Sequence, residues 1–102
     1  MTIDEFKRES AKEALSEFEA VFPGDDRPRK AVEAAMGFAS GKVSVTALHD
    51  AYEAALDAEV AAVRHRRSAS DAEQEAALEA AWYAARMAVI VARPPLGSYD
   101  SA

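Results

Sequence analysis

The run Ala80-Ala-Trp-Tyr-Ala-Ala-Arg-Met-Ala-Val-Ile-Val-Ala92 restricts this chain more than any other stretch. Wound at the helical period, Leu78, Ala81, Trp82, Ala85, Val89 and Ala92 form one stripe, and Tyr83, Met87 and Ile90 fall on the opposite side. A helix apolar on both sides is normally surrounded by protein. A membrane span is the other solution, but the run is too short and carries Arg86 at its centre. The reading is a central helix from Ser70 to about Arg93, with the other helices packed around it.

Composition supports an all-α fold. Half of the 102 residues are apolar, yet aromatics make up only 8% and alanine dominates. Alanine loses no side-chain entropy in a helix and lets helices approach closely. Glycine and proline sit at the breaks between periodic runs. There is no cysteine, hence no disulfide, no thiol nucleophile and no Cys-based zinc site, which fits a reducing cytoplasm. The opening Met1-Thr-Ile-Asp-Glu-Phe6 runs straight into a charged amphipathic pattern, unlike a signal peptide, so a cytoplasmic location is expected. A formal charge of −6 disfavours nucleic acid and anionic membrane and favours a basic partner.

Taken in order, Thr2 and Glu5 form a capping box, and Ile3, Phe6, Ala14, Leu15, Phe18 and Phe22 recur at helical spacing to about Val21. On another face Glu5, Glu9, Glu13 and Glu17 lie four apart, a solvated charged face or an acidic ridge for a basic partner. Pro23-Gly24 ends that helix, and Pro28 opens a second one that Asp25 and Asp26 are placed to cap. Val32, Ala35, Met36 and Ala39 supply its buried stripe and Gly41 its stop. Ser44 caps a third helix traced by Val45, Leu48, Tyr52, Ala55, Leu56, Val60 and Val63, ending near Arg67. The basic cluster Arg64-His65-Arg66-Arg67 matches the negative end of that helix, with a phosphate contact as the alternative. Ser70 and Glu73 are read as a second capping box. The whole is a small four-helix bundle, residues 1–93 forming one domain and 94–102 a mobile tail.

Two charges stand in odd places. Arg86 has no carboxylate three or four residues away on its own helix, and Glu59 falls within the apolar stripe of the third helix. A buried Glu59–Arg86 pair, or Arg86 with Asp25 or Asp26, would satisfy both. His49-Asp50 invites a metal reading. Adjacent helical residues diverge by about 100°, however, and no second such unit completes a site, so a half-buried structural histidine is expected and no metal or cofactor. The serines lack a base with an orienting acid, and no Gly-rich phosphate loop appears. A helix-turn-helix fails because the would-be recognition helix begins Asp71-Ala-Glu-Gln-Glu75.

The stretch Phe18-Glu-Ala-Val-Phe-Pro-Gly-Asp-Asp-Arg-Pro-Arg-Lys-Ala-Val-Glu-Ala-Ala35 resembles the opening motif of bacterial immunity proteins of the Imm-5-like family. Ala84-Ala-Arg86-Met-Ala88 is similar to that family's later Ala-Ala-Arg helix. The family also carries histidines in and after that helix, where this chain has Val89, Val91 and Arg93. The resemblance implies a non-enzymatic protein that binds and neutralises another protein, with Asp25, Asp26, Arg27 and Arg29 as motif residues that either bind or hold a turn. The expectation is therefore an immunity-like inhibitor that occludes a basic partner, a toxin or nucleic-acid-binding effector. One alternative is a phage anti-CRISPR-type inhibitor that lays its acidic face in a basic nucleic-acid groove. An alternative of another class is a small metal- or ligand-dependent enzyme using His49 and Asp50. A homodimer over the second face of the central helix is a further expectation.

Overall fold

The computed structural model describes residues 2–95 and shows an all-α bundle of four helices: α1 (Ile3–Val21), α2 (Arg27–Ala39), α3 (Val45–Arg67) and α4 (Ala72–Ala92). The tail expected at 94–102 lies, past Pro95, outside the described residues.

Each helix starts where a side chain satisfies a backbone N–H that the helix leaves free. Thr2 Oγ1 accepts from the Glu5 N–H and Ser44 Oγ from the Ala47 N–H, both at 3.1 Å. The cap of α4 is one residue later than the sequence suggests. Asp71 Oδ1 accepts from the Gln74 N–H at 2.7 Å, while Gln74 Oε1 accepts from the N–H and hydroxyl of Ser70 at 3.1 Å. Aspartate caps as well as serine, and its charge gains further from the positive helix end.

The stop of α2 is a Schellman turn. Lys42 N–H donates to Gly37 O and Gly41 N–H to Phe38 O, with Gly41 at a φ of 78° that side chains rarely adopt. Val43 then folds back onto Gly37, where any Cβ would collide with the Val43 methyl Cγ2.

Packing is organised around α4, which lies between α1 and α3 and meets α2 as well. Its C-terminal half joins the main core of Ala11, Leu15, Val32, Ala35, Leu48, Ala55, Ala88, Val89 and Ala92. Its N-terminal half joins a second cluster of Phe18, Ala58, Ala81, Ala84 and Ala85. Alanines with at most 1% accessible surface line α3 and α4, at Ala55, Ala58 and Ala62 and at Ala81, Ala84, Ala85 and Ala88. Their small volume lets the backbones come together; the few large side chains of the core, Phe18, Leu15 and Leu48, each contribute about 1.5–3 kcal/mol on burial.

The buried stripes read from the sequence are corrected at several positions, and Ala39 of α2 and Val60 of α3 are exposed. The central helix is not enclosed all round, because Tyr83 and Ile90 are 58% and 50% exposed. Three helices cover three sides of α4 and leave the fourth to solvent. The apolar stripe expected for α1 likewise divides: Ala11, Leu15 and Phe18 are buried, whereas Ile3 and Phe6 are exposed.

Candidate functional site

The corner between α1 and α2 carries the distinctive sequence Pro23–Lys30. Gly24, at a φ of 92°, turns the chain, and the turn brings Arg29 back across Glu19. Arg29 Nε and Nη2 donate to the two Glu19 oxygens, both at 2.7 Å, in a fork that ties α1 to α2. Asp25 accepts from the Arg27 backbone N–H at 3.2 Å and from its guanidinium at 2.9 and 2.6 Å. The hydrogen bond from Arg27 holds the Asp25 carboxyl below its ordinary range against the opposing effect of burial, and Arg29 does the same for Glu19. Both guanidinium groups are correspondingly raised.

Of the two aspartates expected to cap α2, Asp26 occupies the cap position without a side-chain capping bond and pairs instead with Lys30 at 3.3 Å. Asp25 satisfies the Arg27 N–H from one residue further back. Every charge of the motif thus has a partner within the corner.

The glutamate row behaves differently. Glu5, Glu9, Glu13 and Glu17 are all exposed, and none forms an ion pair with a described residue. They do not form one straight ridge. Four residues advance a helix by about 40° beyond a full turn, so the row winds about 120° round α1 over its length. Glu5 and Glu9 border an open groove against α2, beside Arg8 and Met36. Glu17 borders a groove against α4, beside Tyr83 and Met87, and Glu13 lies on the rim of both.

In the α1–α4 groove, of about 470 Å³, exposed apolar surface meets acid that forms no ion pair with a described residue. Ser10 and Ala14 are small and leave a floor between the larger Phe6, Tyr83 and Met87. Phe6 is 62% exposed, an unusual state for a side chain that would gain by burial. Lys7 stands at one end and Glu17 towards the other.

The charges in odd places meet each other. Arg86 Nη1 donates to Glu59 Oε2 at 3.1 Å, joining α4 to α3. The pair is not the buried one expected: the Arg86 side chain is 53% exposed and that of Glu59 is 12%. Arg86 lies on the open stripe of α4, so its side chain keeps contact with water. Asp25 and Asp26 are committed to the corner and take no part.

The basic end of α3 is partly used within the fold. The His65 ring stands edge-on to Phe22 at 5.2 Å, and the Arg66 guanidinium lies over Trp82 at 5.9 Å. His49 is half-buried, 3.3 Å from Glu53 one turn on and tilted against Tyr52. Among the described residues no three His, Cys, Asp or Glu side chains converge as metal ligands. No helix among them is long and apolar enough to cross a membrane.

Residues 1–93 match the family described as Imm-5 like putative immunity protein. The chain belongs to that family. The match runs far beyond the corner and the Ala-Ala-Arg helix, over all four helices. Comparison with curated proteins and with solved structures gives no match.

Sequence reasoning missed Glu19, the partner of Arg29, and Gly37 beneath Val43. Glu19 could have been found from the helix-turn-helix geometry: a tight Pro-Gly turn between two helices sets residues on the last turn of one against the first turn of the next. Gly37 had no sequence signal, because a glycine inside a helical run reads only as a weak position.

Proposed function

We propose that this protein is a non-catalytic, protein-binding inhibitor of the immunity type, which neutralises a basic partner protein by covering its working surface. Membership of an immunity family supports binding to another protein. The observation that carries the rest is the placing of exposed Phe6 and Tyr83 beside Glu13 and Glu17, charges with no ion-pair partner within the described fold. An apolar centre with a charged rim is the anatomy of a specific protein interface. The sign of the rim and the net charge of −6 both select a basic partner. A toxin or a nucleic-acid-binding effector has that chemistry.

The test is affinity capture from bacterial lysate at low and high salt, followed by production of the captured protein alone and together with this chain. The reading expects a basic protein whose retention falls as salt screens the rim, and whose activity or toxicity disappears on co-production. A captured protein that stays fully active in the complex, or no specific capture at all, overturns it.

A further inference from the structure

We propose that the α1–α4 groove seats one amphipathic helix of the partner, with its Lys/Arg-bearing end over Glu13 and Glu17. The proposal rests on the protein-binding reading above and specifies where and what the molecule binds. The groove runs between two packed helices, so a third helix can lay its apolar side chains along the seam at one-turn spacing, as helix-in-groove recognition requires. Strand addition has no template here, since the described residues contain no strand.

Side-chain size makes the seat. Ser10 and Ala14 leave room on the floor, and Phe6 and Tyr83 stand at its edges with enough exposed ring to be covered on binding. Aromatic side chains of this kind dominate interface energetics once water is excluded from them.

Charge sets the occupant and its direction. Lys7 lies at one end of the groove, while Glu13 and Glu17 border it further along α1, one turn apart. Cations on the arriving helix are therefore attracted to the Glu17 end and repelled at the Lys7 end, which fixes polarity as well as sign.

Nuclear magnetic resonance of the isotope-labelled full chain tests the seat directly, with three synthetic helices of about five turns as probes. The first has leucines along one face and lysines elsewhere; the second has the same composition in scrambled order; the third carries glutamate in place of lysine. The expected result is that the Leu/Lys helix alone shifts the signals of Phe6, Ala14, Tyr83 and Met87. Its affinity should fall about tenfold or more in the Glu13→Lys/Glu17→Lys variant, where attraction becomes repulsion.

Equal binding of the scrambled or acidic helix, shifts mapping elsewhere, or no shift overturns the proposal. So does movement of the same signals with the protein's own concentration, which would place a second copy in the groove. The two readings fail separately. Capture of a neutralised partner that survives Phe6→Glu and Tyr83→Glu removes the groove and keeps the inhibitor. Seating of the Leu/Lys helix without any captured partner keeps the groove and removes the inhibitor.

Discussion

Phe18 and Phe6 lie on the same helix, yet one is 1% exposed and the other 62%. Phe18 stands at the corner, its ring 5.0 Å from that of Phe22, with the Glu19–Arg29 fork next to it in the chain. Around it Pro23–Lys30 pairs each of its charges inside the molecule. Phe6 stands at the other end of α1, at a groove whose glutamates form no ion pair with the described protein. The corner consumes its chemistry in making the fold, and the groove leaves its chemistry facing outward. The difference separates what makes the chain recognisable from what, in the proposed reading, makes it bind. Proline, glycine and charges in strict order are demanded by a tight turn, whereas an open surface can be built from common residues.

The comparison is broken most easily at its two phenylalanines. Phe18→Ala should cost about 3–5 kcal/mol in chemical denaturation, because it empties a fully enclosed site. Phe6→Ala should stay within about 0.5 kcal/mol of the parent. Similar losses for both would mean that Phe6 is covered in solution.

The next largest effect is on α4. Ala85→Leu places extra volume where there is no accessible surface and should cost about 1–3 kcal/mol in the same measurement. Tyr83→Ser on the open stripe of that helix should cost far less.

Smaller still is the Glu19–Arg29 fork. Both side chains are partly exposed, so a double-mutant cycle with Glu19→Gln and Arg29→Met should give a coupling of about 1 kcal/mol or less. Its pH dependence has a definite sign. Glu19 and Asp25 titrate below their ordinary range in the folded state, so their stabilisation is complete above the usual carboxylate values of about 4. It is lost as pH falls through the lowered values, where the unfolded chain binds more protons. Asp25→Asn and Glu19→Gln should flatten this acid limb of a thermal-stability profile.

The smallest effect on stability belongs to the groove charges. Glu13→Lys/Glu17→Lys should change stability by only a few tenths of a kcal/mol, since it merely exchanges one exposed like-charge pair for another. A large loss of stability would mean that these glutamates hold the fold together.

The helices themselves were legible in the sequence because caps and breaks are local. Thr2, Ser44, Pro23-Gly24 and Gly41 act within a few residues, and α1 and α3 begin and end within about a residue of where these signals place them. Asp71 displaced Ser70 as a cap because two good capping residues stand side by side and local pattern does not rank them. Which apolar residues end up covered was less legible. Periodicity shows which residues of α1 and α4 are apolar and at what spacing, but only the lengths and placing of neighbouring helices decide that Ile3, Phe6, Tyr83 and Ile90 are left exposed. The groove was invisible for the same reason: its walls come from opposite ends of the chain. The glutamate row was readable as a row, and its division between two grooves was not, because the drift of a helical face matters only once neighbours exist.

The central claim is that the corner folds and the groove binds, and one side-by-side titration tests it most directly. The captured partner is titrated against two variants of the chain, Phe6→Glu/Tyr83→Glu in the groove and Asp25→Asn/Arg29→Met at the corner, with thermal unfolding recorded for both. The account predicts that the groove variant loses affinity at an unchanged unfolding temperature, and that the corner variant unfolds earlier but binds with parental affinity while folded. A corner variant that keeps its unfolding temperature and loses the partner would contradict it.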